Sequence, residues 1–152
     1  MSKPSKSPVN LLALDKQFCF ALYSASLAMT KTYKPLLDKL GLTYPQYLVM
    51  LVLWQEDGLL VKSIGEKLFL DSGTLTPLLK RLEASGFIVR TRDVEDERQV
   101  RITLTRDGRA LKRRAQDIPL QVLCASGQSE LAVDGLRAQL ALIRDDLVRH
   151  KE

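Results

Sequence analysis

The stretch Leu70-Asp71-Ser72-Gly73-Thr74-Leu75-Thr76-Pro77-Leu78-Leu79-Lys80-Arg81-Leu82 reads as one helix with two unlike faces. At 100° per residue, with Leu75 at zero, Leu78, Leu79 and Leu82 fall within about 60° of it and form an apolar face. The opposite side carries Gly73, Thr76, Pro77, Lys80 and Ala84, flanked by Thr74 and Arg81. Ser72, Thr74 and Thr76 near the helix start, with Lys80 and Arg81 one turn later, suit insertion into a DNA major groove. The hydroxyls and the helix N-terminus would meet bases or phosphates, and the two cations would lie toward the backbone. Taken alone, this helix is better read as an ordinary surface helix with a solvated polar face. Pro77 removes one backbone bond past the first turn of a helix begun at Asp71, so the regular helix starts near Thr74 or the chain kinks.

The neighbours decide between these. Upstream, Val61 to Leu68 predicts a short helix, with a turn at Phe69-Leu70. Downstream, Gly86 stops the helix and Phe87-Ile88-Val89-Arg90 opens a hairpin. Its second strand alternates Val100, Ile102 and Leu104 with polar residues, and its tip is the charged run Asp93 to Arg98. Arg90 and Arg92 flank the first strand, while Arg101 and Arg106 follow the tip. An Arg at the tip, here Arg98, can enter a narrow minor groove. Asp93, Glu95, Asp96 and Glu97 would repel phosphate unless paired, and Asp96 stands two residues before Arg98, placed to orient it. Short helix, tight turn, second helix and basic hairpin together make a winged helix–turn–helix.

Outside that unit, Asn10 to about Leu40 has helical spacing through Leu11, Leu14, Phe18, Leu22 and Ala25, and Gly41 closes it. Thr43-Tyr44-Pro45-Gln46 is a capping box, opening an apolar core helix that ends at Asp57-Gly58. Thr105 caps a fifth helix through about Cys124. Gly127 breaks it, and Ser129 opens a last helix with Leu136, Leu140, Ile143 and Leu147 on one stripe. That stripe suits pairing with a second copy or packing on the first helix, and pairing is favoured because paired readers fit two-fold DNA sites. The expected fold is mainly α with a small β-hairpin wing: a polar mobile tail at 1–8 and one domain over 9–152. In that domain a winged helix–turn–helix at about 44–105 lies between dimerisation helices at about 10–40 and 106–150.

Charge agrees with this layout. The chain of 152 residues has a net charge of +5, and residues 60–114 alone carry 13 basic and 8 acidic side chains, the whole of the excess. Two Cys and one His cannot build a closed zinc site, and without an internal His no Ser-His-Asp or Cys-His catalysis is available, so no metal, no cofactor and no enzyme are expected. No run is long enough to cross a bilayer, and Asp15 and Lys16 interrupt any signal-like segment, which makes the cytoplasm the default. There both cysteines begin as thiols. A lone Cys in an apolar helix is usually a small packing residue. Lys16 and Tyr23 would share a helical face with Cys19, and an ammonium or hydroxyl near a thiol favours the reactive thiolate. All four tyrosines, at 23, 33, 44 and 47, fall in the first 50 residues.

Four segments carry a resemblance: Cys19-Phe20-Ala21-Leu22-Tyr23-Ser24; Leu42-Thr43-Tyr44-Pro45-Gln46-Tyr47 running on to Trp54; Leu70 to Leu82; and Asp96-Glu97-Arg98-Gln99-Val100. In combination they resemble OhrR, the organic-hydroperoxide-sensing branch of the MarR repressors, over about residues 10–150. The resemblance implies a homodimeric winged-helix repressor of double-stranded operator DNA with an organic hydroperoxide as effector. It further implies a reactive Cys19 held by Tyr33 and Tyr44, and a second Cys124 that captures the oxidised thiol across the dimer. The wider family often has two Asp-x-Arg units in the wing; Asp93-Val94-Glu95 lacks the first Arg, leaving Arg98 as the expected contact. Two rival expectations are a MarR-type repressor released by a reversible phenolic ligand and a thiol peroxidase using Cys19.

Overall fold

The computed structural model describes residues 10–151; the predicted tail at 1–8 lies outside them. The helix α1, Phe18–Asp38, begins later than expected. Before it, Leu14–Lys16 form a single 3-10 turn and Gln17 is extended, so Leu11 and Leu14 are not on α1 and Lys16 does not share the helical face of Cys19. Gln17 Nε2 donates to the carbonyls of Leu11 and Ala13, which keeps this turn from joining the helix.

The capping box at α2, Tyr44–Gln55, forms as expected: Thr43 Oγ1 accepts from the Gln46 N–H, and Gln46 Oε1 accepts from the Thr43 N–H. After the Asp57-Gly58 turn, Leu59–Leu60 form a short strand β1. Then come α3, Val61–Leu68, and α4, Ser72–Ala84, followed by the hairpin strands β2, Ile88–Arg92, and β3, Val100–Leu104. The sheet order is β1-β3-β2, all antiparallel, with Leu59 opposite Ile102 and Ile88 opposite Leu104. The wing thus has a third strand that two residues were too few to announce.

The predicted fifth helix through Cys124 is two helices, α5, Arg106–Ala115, and α6, Ile118–Ser126. Pro119 accounts for the break: it has no N–H to give the Ala115 carbonyl, and its ring would collide with that group if the helix continued. The last helix, α7, Glu130–His150, is capped by Ser129, which accepts from the Ala132 N–H.

The core runs from Leu37 to Val122. Met50, Leu53, Ile64, Leu75, Leu82 and Ile102 are fully buried at its centre, joining α2, α3, α4 and the sheet. Among the described residues, nothing before Leu37 and nothing in α7 is buried. Phe18 is 56% exposed, Leu136 51% and Leu142 66%, so the outer helices leave an apolar surface that this chain does not cover.

Candidate functional site

α4 is held at its start by Asp71, whose Oδ1 accepts from the Thr74 N–H at 2.7 Å; that bond is the chief reason its carboxyl stays below the usual aspartate range. The helix runs unbroken from Ser72 through Pro77, so it does not begin at Thr74. Leu75, Leu79 and Leu82 are buried as the helical wheel requires, leaving Ser72, Thr74, Pro77, Lys80 and Arg81 exposed and Thr76 half-buried. Neither Lys80 nor Arg81 makes an ion pair with a described residue. A cleft of about 840 Å³ lies between the start of α4 and the wing, with Lys62, Ser72, Thr76, Arg98 and Gln99 on its walls.

Two of the wing's four acidic residues, Asp93 and Asp96, are paired with arginines, while Glu95 and Glu97 stay exposed. Arg98 is 91% exposed, and its Nε donates to Asp96 Oδ1 at 3.1 Å while the Arg98 N–H reaches the same oxygen, so Asp96 orients it. Asp93 accepts from Arg101 at 2.8 Å, and Arg101 also donates to the Gly58 carbonyl, which ties the hairpin to the turn before β1. Arg90 is clamped by Glu83, which accepts from both its backbone N–H and its guanidinium. Arg101 and Arg90 therefore serve the fold, a role sequence spacing did not reveal because each partner is non-local. The Arg101 hydrogen bond is the main cause holding Asp93 below the ordinary aspartate value, and the Arg98 hydrogen bonds do the same for Asp96. A lowered folded value means these pairs contribute above the usual 3.8 and are lost as the pH falls through the lowered value. Amide-exchange protection across the wing is expected to be full at about pH 5 and to weaken as the pH falls through the lowered aspartate values, whereas protection unchanged to the point of global unfolding would show the pairs to be idle.

The thiol site is divided. Cys19 and Cys124 are both free and exposed. Tyr23, one turn after Cys19, is 64% exposed beside it. Tyr33, Tyr44 and Tyr47 form a cluster of mutually tilted rings between α1 and α2, with ring centroids 4.9 Å apart for Tyr33 and Tyr44 and 5.8 Å for Tyr33 and Tyr47. Burial, then the neighbouring phenols, raises Tyr33 to about 12; burial raises Tyr44 as well. At neutral pH these groups are O–H donors. Yet Cys19 precedes Tyr33 by 14 residues on one helix, about 21 Å at ~1.5 Å per residue, so one chain does not bring them together.

The two thiols are also apart. Ile118, at the start of α6, shares a hollow with Leu36 and Leu40 at the far end of α1. Cys19 lies about 25 Å from Leu36 along α1 and Cys124 about 9 Å from Ile118 along α6, so an α6 running straight back still leaves the two Cα atoms about 16 Å apart along the helix axis. Disulfides need Cα atoms within ~7 Å.

Residues 31–115, more than half of the chain, match the family model described as transcriptional regulator SarA/Rot. The chain is 53% identical to the organic hydroperoxide resistance transcriptional regulator of Bacillus subtilis (strain 168), over 90% of this chain and 92% of that protein. The chain belongs to the OhrR branch of the MarR regulators. This OhrR-type chain is therefore a winged-helix transcriptional regulator and not an enzyme, which sets aside the peroxidase alternative. Its fold is similar to that of AbfR, known from Staphylococcus epidermidis. Reduced AbfR bound to DNA matches with a TM-score of 0.77 at 35% identity, covering 91% of this chain and 95% of that one. A disulfide-formed AbfR matches with a TM-score of 0.58 at 38% identity, covering 86% and 91%. No helix of the described residues is long and apolar enough to cross a membrane, and none of their His, Cys, Asp and Glu side chains cluster in threes to hold a metal.

Proposed function

We propose that this OhrR-type chain is a cytoplasmic homodimeric repressor that leaves operator DNA when an organic hydroperoxide oxidises Cys19. The observation that carries it is the divided site: Cys19 lies on an uncovered apolar surface, about 21 Å along α1 from the phenols able to serve it. A two-fold dimer through α1 and α7 covers that surface and sets the Cys19 of each chain against the tyrosine cluster of the other. The reduced dimer reads DNA with α4, through Ser72, Thr74, Thr76, Pro77, Lys80 and Arg81, and with the Asp96-oriented Arg98 in the minor groove.

The redox step balances without a cofactor. The Cys19 thiolate attacks the terminal oxygen of ROOH, the O–O bond breaks, ROH departs with a proton, and sulfur becomes a sulfenic acid. Neutral Tyr33 and Tyr44 of the partner subunit donate hydrogen bonds that hold the anionic sulfur. Cys124 of the partner subunit then attacks the sulfenic sulfur, forming the disulfide and releasing water. Because the sulfurs must close to bonding distance, α1 and α6 of opposite chains are dragged together and the spacing of the two α4 helices changes. That disulfide-formed AbfR has the same fold as this chain supports such a state.

The test is binding of the reduced protein to a duplex it selects from a randomised pool, before and after cumene hydroperoxide. Cys124→Ser is expected to bind that duplex as the parent does and to form a dimedone-reactive sulfenic acid, yet to show no crosslinked dimer on a non-reducing gel. A crosslink persisting in this variant would remove Cys124 from the mechanism. Arg98→Ala is expected to weaken binding by about tenfold, within the 1–3 kcal/mol typical of a specific Arg contact. Binding unchanged by that substitution would place the wing off the DNA.

A further inference from the structure

Phe69 is the one non-glycine residue among those described with a positive φ, at φ 58° and ψ 37°. It ends α3 and begins the turn that sets the direction of α4. The N–H groups of Phe69 and Leu70 both donate to the Gly65 carbonyl. An L-residue rarely adopts this conformation and keeps it only where its surroundings hold it. One such restraint comes from far away in sequence: the Arg144 guanidinium of α7 lies 4.2 Å from the centre of the Phe69 ring. Arg144 is itself steadied by Asp145 at 3.0 Å.

The same turn of α7 faces the sensing end of α1. Leu140, Ile143, Arg144 and Leu147 line a hollow of about 250 Å³ together with Leu22, which is one helical turn beyond Cys19. Of the stripe read from sequence, Ile143 alone is half-buried beside α1 of its own chain, while Leu136, Leu140 and Leu147 stay 51%, 43% and 62% exposed. α7 consequently borders the same hollow as the segment that carries Cys19 and contacts the turn that aims α4.

We propose that Arg144 and Phe69 are positioning residues for DNA binding. Through them α7 clamps the α3–α4 turn and passes to it any displacement of the Cys19 end of α1. This rests on the redox-repressor function proposed above. Neither residue has to touch DNA; the pair keeps α4 at the angle from which Ser72 to Arg81 meet the groove. Phe69, fixed by the bonds to the Gly65 carbonyl on one side and by Arg144 on the other, is the joint through which α7 bears on α4.

The experiment is a double-mutant cycle on the full-length reduced protein with the selected duplex. Arg144→Ala and Phe69→Leu are each expected to weaken binding about two- to fivefold, the range of an exposed cation–π contact. The double variant is expected to be no weaker than the worse single one, and Arg144→Lys, which keeps the cation, to recover most of the loss. Two further readouts separate positioning from other roles: the salt dependence of binding stays that of the parent, since no phosphate contact is lost, and dimedone labelling of Cys19 proceeds at the parent rate. Single variants that bind as the parent does, losses that multiply in the double variant, or a shallower salt dependence for Arg144→Ala would each overturn the proposal. If the parent itself does not bind the duplex, or is not released by peroxide, the repressor function fails instead.

Discussion

Cys19→Ser protein is expected to bind the selected duplex within twofold of the parent and to remain bound after cumene hydroperoxide. The substitution exchanges sulfur for oxygen on an exposed turn of α1 and takes nothing from the core, which begins at Leu37. A serine hydroxyl is not a nucleophile toward peroxide at neutral pH, so neither the sulfenic acid nor the disulfide forms. Allosteric couplings of this kind are typically about 5- to 150-fold in affinity. The parent should therefore lose DNA by a factor in that range, and the variant by none. Mobility shift or fluorescence anisotropy with and without peroxide reads both. Release of the duplex from Cys19→Ser by peroxide would sink the sensor assignment, and so would a parent oxidised in full that stays bound.

The second large effect falls on the fold. Gly108, in the first turn of α5, is where three elements meet. Its N–H donates to the capping Thr105 Oγ1 and its carbonyl accepts from Trp54 Nε1 of α2. Thr105 in turn donates to the Gly86 carbonyl and, through its backbone N–H, to that of Phe87. A Cβ at position 108 would lie 2.0 Å from the Phe87 carbonyl oxygen, a backbone atom that the Thr105 bond holds in place. Alanine improves helix propensity by about 1 kcal/mol over glycine, but relieving this overlap means parting α5 from the wing and straining the Trp54 bond. Overpacking of this kind costs about 3 kcal/mol or more, and the backbone contact puts Gly108→Ala at the upper end. The expected result is a fall in Tm of roughly 6–12 °C. A variant melting within about 2 °C of the parent would show that Phe87 can move at no cost.

Local signals were sufficient wherever the deciding partner was a few residues away. The capping box at Thr43 and Gln46, the bounds of α3, the apolar face of α4 and the Asp96–Arg98 pair all depend on neighbours within about four positions, as helix caps and i,i+4 pairs do. β1 was missed because two residues carry no periodicity; Leu59 and Leu60 are a strand only because Ile102 and Arg101 lie beside them. The start of α1 is not legible in the spacing, because Leu11, Leu14 and Phe18 keep helical periodicity across the Gln17 break. The join between α5 and α6 does have a local signal, Pro119, which ends the backbone ladder of a continuous helix. The roles of Arg90 and Arg101 depend on Glu83, Asp93 and Gly58, and only chain folding brings those partners within reach.

By itself the sequence determined the order of helices, the winged helix–turn–helix with its polar reading face, and which thiols and phenols are present, because periodicity, caps and residue chemistry are local properties. Only the tertiary structure decided that Cys19 stands apart from Cys124 within one chain, and that α7 borders the sensing end of α1 and contacts the turn before α4. Those are distances between elements far apart in the chain. They are set by how the buried faces of α1, α2, α5 and α6 pack, which no pattern along a single helix records.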